Sequence, residues 1–137
     1  MIKAGFFIGD RDWWVMLSLP VTTERDLNEV YEALLASGCD PYKAQRACMV
    51  LSRYDKGYTY TNYDGRFSVV FVSKATSGEE LYDSLQHELK HVTEHIGEYY
   101  GVDPRSEESA YLQGEIARKM FPAASIAFCH DYKPHTY

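Results

Sequence analysis

The sequence predicts an α+β fold in which a small, mainly antiparallel sheet packs against two long helices. Three observations predict it. Two pairs of β-prone segments are each joined by a short polar turn. A long stretch of helical periodicity follows and ends at Gly101. A second helix then opens with the cap-and-first-turn signal Asp103-Pro104. The chain of 137 residues is long enough for one domain with a modest core, so residues 1–137 are expected to form a single unit.

Ile2–Ile8 and Trp13–Leu19 are apolar runs separated by Gly9-Asp10-Arg11-Asp12 and read as a hairpin that Pro20 closes. Thr22 or Thr23 caps a helix whose apolar positions Leu27, Val30, Tyr31, Leu34 and Leu35 recur at the helical repeat. A break at residues 38–41 precedes a short helix over Tyr42–Arg53. Tyr58–Tyr63 and Arg66–Ser73 flank Asp64-Gly65, a strong hairpin signal. On the second of these strands Phe67, Val69 and Phe71 share one face and Val70 and Val72 the other, so both faces should be covered. Ser77 begins the long helix, which reaches Tyr100. The next helix should stop at Pro122, leaving 123–137 as a tail without a clear pattern.

Composition narrows the function. A net charge of −6, with basic residues scattered, argues against nucleic acid and anionic membrane as main partners. Residues 1–10 lack the pattern of a secretory signal, and no apolar stretch approaches a bilayer's thickness, so cytoplasmic residence is expected. Cys39, Cys48 and Cys129 form no C-x-x-C pair and read as small buried thiols.

The chemistry lies on the long helix. Advancing about 100° per residue, Leu81, Leu85, Leu89, Val92, Ile96 and Tyr99 make one apolar stripe. His87 and His91, four residues apart, project from successive turns in another sector and can share one metal ion. Glu88 falls between that sector and the stripe, where a general base belongs. Neutral imidazoles suit Zn²⁺, and three protein ligands leave a position for water. His95 is about 12 Å of helical rise beyond His87, too far to join both at one ion. A carboxylate from the following helix is the remaining choice. Glu107 shares a face with the small residues Ala110, Gly114 and Ala117, and is chosen over the more solvated Glu108, which stays the fallback. Tyr111, His95, His130 and Tyr132 are the candidate oxyanion donors.

The pairing of His87-Glu88-Leu89-Lys90-His91 with Glu107-Glu108-Ser109-Ala110-Tyr111 resembles the gluzincin metallopeptidases. It is most similar to the compact ImmA/IrrE-type members and the minigluzincins, over residues 58–121. The resemblance implies a zincin-like fold with a sheet edge along the cleft, zinc on His87, His91 and Glu107, and Glu88 as the catalytic base. It implies a peptide or protein substrate, including a regulatory protein. Two departures stand out: Tyr111 replaces the usual asparagine four residues after the ligand, and the His91-to-Glu107 spacing is short. The rival expectation is a non-catalytic zinc-binding regulatory or structural protein, its metal sphere closed by His95, His130 or Cys129.

Overall fold

Residues 1–131 are described in the computed structural model, with side chains through Cys129, and they build a four-stranded mixed sheet covered on both faces. The strands are β1 (Ile2–Ile8), β2 (Trp13–Val21), β3 (Gly57–Asn62) and β4 (Phe67–Ser73), in the order β1-β2-β4-β3. The helices are α1 (Glu24–Ala36), α2 (Pro41–Leu51), α3 (Gly78–Tyr100) and α4 (Glu107–Asp131). Among the described residues no helix is long and apolar enough to cross a membrane.

Both hairpins form as expected, β1 with β2 and β3 with β4, each antiparallel. The third pairing, β2 with β4, is parallel, because α1 and α2 carry the chain across the sheet between them. The sheet is therefore mixed, with β3 at one edge and β4 inside it. Strand alternation sorts the side chains into two cores. Val15, Leu17, Leu19, Val70 and Val72 pack toward Leu81, Leu85, Leu89, Val92 and Ile96 of α3 and Leu112, Ile116 and Met120 of α4. Val69 and Phe71 pack toward Val30 and Leu34 of α1 and Ala44, Ala47 and Leu51 of α2.

Thr23 caps α1 with a full capping box to Asp26, and Asp40 caps α2 ahead of Pro41. Ser77 caps α3, which ends at Gly101 in the left-handed conformation (φ 70°) that glycine adopts without a Cβ penalty.

Three boundaries differ from expectation. Strand β2 continues through Pro20 to Val21, with its register to β4 shifting after Ser18 and buried Val21 holding the extension in the α1/α2 core. Helix α4 starts at Glu107, since Asp103-Pro104 forms a turn and Ser106 is the cap, its hydroxyl accepting from the Ser109 amide. That helix also runs through Pro122 to Asp131. Proline removes one backbone donor, but Ala123, Ala124 and Ala127 are buried just beyond it, and their packing outweighs the lost bond. Residues 132–137, with the candidate Tyr132, lie outside the described residues, as does the side chain of His130.

Candidate functional site

Helix α3 lies along edge strand β3 and presents its histidine flank beside it. The apolar stripe anchors the rotation: Leu81, Leu85, Leu89, Val92 and Ile96 are all buried. That fixes Glu88 about 60° from His91 around the helix, turned toward the sheet. Its side chain is only 2% exposed.

Strand β3 supplies the floor. Alternate residues Gly57, Thr59 and Thr61 face α3, while Tyr58 and Tyr60 pack into the opposite core. The Thr59 hydroxyl donates to Glu88 Oε1 at 2.8 Å. Gly57 makes room for the same side chain: a Cβ there would stand 2.6 Å from both Cγ and Oε2 of Glu88. Burial raises the Glu88 carboxyl above its ordinary pKa, and the Thr59 hydrogen bond and the two nearby histidines pull it partly back. The result is a carboxylate with heightened proton affinity, held by a hydroxyl.

His87 is exposed and His91 half-buried. Their Nε2 atoms are 3.1 Å apart, and the rings meet edge-on with centroids at 4.7 Å. Two imidazole nitrogens on one tetrahedral Zn²⁺ would stand about 3.3 Å apart, close to this spacing, which is also that of a hydrogen bond between the two rings.

The third expected ligand is elsewhere. Leu89 stands about 160° from His87 around the helix. Leu85, Gln86 and Leu89 border the groove that α3 shares with Ala117, Met120 and Ala124 of α4. Helix α4 thus packs on the flank of α3 away from the histidines. Exposed Glu107 lines a shallow depression with Asp10, Arg11 and Tyr111. Glu108, the fallback, is bonded by Arg11 at 2.6 Å. Among the described residues no three His, Cys, Asp or Glu side chains come close enough to share a metal ion. Two of the three expected ligands are brought together and Glu107 is not.

Comparisons with protein-family models, with curated proteins and with solved structures find no match.

Sequence reasoning missed the β3 side of the site. Gly57 precedes the strand boundary expected at Tyr58, and the residues facing α3 alternate small or hydroxyl-bearing against tyrosine, a readable period-two pattern. Of the candidate oxyanion donors, Tyr111 is 74% exposed beside Glu107. His95 is half-buried on the histidine flank, its Nδ1 2.7 Å from the Thr61 hydroxyl and its ring centroid 6.1 Å from that of His91. Burial and the charge of His91 lower its pKa, against the opposing pull of Glu98 and Glu94. Cys129 is exposed near the end of α4.

Proposed function

We propose that the chain is a zinc-dependent metallopeptidase on a zincin-like scaffold, with His87 and His91 as its described ligands and without the glutamate ligand of the gluzincin pattern. It acts in the cytoplasm on a peptide or protein substrate. One observation carries this reading: the His87-Glu88-Leu89-Lys90-His91 helix lies along an edge strand, with Glu88 buried against Gly57 and Thr59 and the imidazoles paired beside it.

His87 and His91 are the residues that would hold the ion, which when bound would supply Lewis acidity toward an amide carbonyl and a water. Glu107 stands apart from this pair and would not join them. Glu88 takes the water's proton and delivers it to the amide nitrogen as the C–N bond breaks. In the metal-free chain burial raises its proton affinity, and the Thr59 hydroxyl holds the carboxylate in place. Strand β4 is internal, so extended substrate pairs with the free edge of β3.

The test is Glu88→Gln. The variant should bind zinc as wild type does and lose hydrolysis of a random-sequence quenched fluorescent peptide pool. Full retained activity would remove Glu88 from the base role.

The position of Glu107 favours a second reading, a non-catalytic zinc-binding regulatory or structural protein. Zinc binding with no cleavage of the pool by wild type selects it.

A further inference from the structure

A buried chain of hydroxyls ties the core to His95. Trp13 Nε1 is 3.1 Å from Ser68 Oγ, which is 2.8 Å from Thr61 Oγ1, which in turn is 2.7 Å from His95 Nδ1. The direction of each bond follows from which groups can donate. An indole nitrogen only donates, so Ser68 accepts from Trp13. Ser68 is fully buried, and Thr61 is its one remaining side-chain partner. If His95 Nδ1 carried the proton, it would donate to Thr61, and either the Ser68 or the Thr61 hydroxyl proton would be left without an acceptor in this chain of bonds, at about 1–3 kcal/mol. The opposite order uses every proton: Trp13 to Ser68, Ser68 to Thr61, Thr61 to His95 Nδ1.

We propose that this chain fixes His95 in the Nε2–H tautomer and makes it the donor that stabilises the oxyanion in peptide hydrolysis. The role rests on the hydrolase reading above. The two ring nitrogens point to opposite sides of an imidazole, so anchoring Nδ1 on β3 turns Nε2–H away from the strand. It does so on the flank that holds His91, one helical turn along. As water adds to the scissile carbonyl, the C=O π pair moves onto oxygen. His95 Nε2–H donates a hydrogen bond to that oxygen without giving up its proton. The C–N bond then breaks, the carbonyl re-forms and the amine leaves with the proton carried by Glu88. Among the sequence candidates, His95 is the described side chain on this flank. Thr61 is a positioning residue that acts through it.

Two measurements on the full chain test this. The first is a long-range ¹H–¹⁵N spectrum of ¹⁵N-histidine protein, with His95 assigned by its loss in His95→Gln. It should show a bare Nδ1 and a protonated Nε2, and a protonated Nδ1 overturns the proposal. The second is kcat and KM of zinc-loaded protein on the quenched peptide pool. His95→Phe should lose about 10²-fold in kcat, the scale of a lost oxyanion donor, with KM little changed. His95→Gln, which keeps a donor near the Nε2 position, should recover about a tenth of wild-type kcat. Thr61→Val should fall between them and show mixed tautomers. Unchanged kcat in His95→Phe overturns this role alone. A zinc-loaded wild type that cleaves nothing overturns the hydrolase reading and this role together.

Discussion

Gly57 is where a single methyl group should decide whether Glu88 can work. A Cβ at that position would meet Glu88 Cγ and Oε2 at 2.6 Å and Cδ at 2.8 Å. Carbon atoms in contact sit about 3.5–4.0 Å apart, so Gly57→Ala must push the carboxyl aside by about 1 Å or bend β3. A displacement of about 1 Å at a catalytic group costs about 10²-fold in rate. Overpacking of this kind also costs about 1–3 kcal/mol of stability. The three atoms nearest that Cβ all belong to Glu88 and none to His87 or His91, so zinc stoichiometry should be unchanged. The assay is kcat/KM on the quenched peptide pool, with elemental analysis for zinc and urea denaturation for stability. A double-mutant cycle with Glu88→Ala isolates the contact: removing the side chain should relieve the clash, giving a coupling of about 0.5–3 kcal/mol. Additive stabilities, or wild-type kcat/KM in Gly57→Ala, would refute the packing of Glu88 against the strand.

Three further outcomes follow from the same geometry. Burial raises the Glu88 carboxyl, so the metal-free folded protein holds that proton more tightly than the unfolded chain does. Stability from this group is therefore full below the ordinary value of 4.5 and is lost as pH rises through the raised one. Metal-free Glu88→Gln should gain on wild type in urea midpoint as pH rises from about 4 to neutral, and a constant gap would contradict the shift. Thr59→Val removes the hydroxyl that lowers the Glu88 pKa, so the acid limb of kcat/KM should move to higher pH, and a downward move would count against the bond. Glu107→Gln should leave zinc affinity within about twofold by calorimetry, whereas loss of a true ligand costs far more.

Local signals in the sequence carried most of the elements. Thr23, Ser77 and Gly101 end their helices where capping chemistry places them, and Asp64-Gly65 joins β3 to β4. The two-sided burial of β4 was legible in its apolar run. The parallel pairing of β2 with β4 was not, because it joins segments separated by two helices. The continuation past Pro20 and Pro122 also escaped a local reading, since burial of Val21, Ala123 and Ala127 overrides the proline signals.

The site divides along the same line. Helical periodicity alone put His87 and His91 together and set Glu88 between them and the apolar stripe, while its burial against β3 came from the fold. It could not say which flank of α3 would receive α4. That choice is set by Leu112, Ile116 and Met120 packing beside Leu85 and Leu89, and it carries Glu107 to the β1–β2 turn. Thr59, Thr61 and Ser68 gained their roles only when two strands came under the helix.

Zinc titration of metal-free wild type and His91→Ala, read by calorimetry and elemental analysis alongside cleavage of the peptide pool, tests the proposed metal site most directly. Wild type should take up one equivalent and cleave the pool, and His91→Ala should do neither. Wild type that binds no zinc, or His91→Ala that binds and cleaves as wild type does, would contradict a metal-dependent site on this helix.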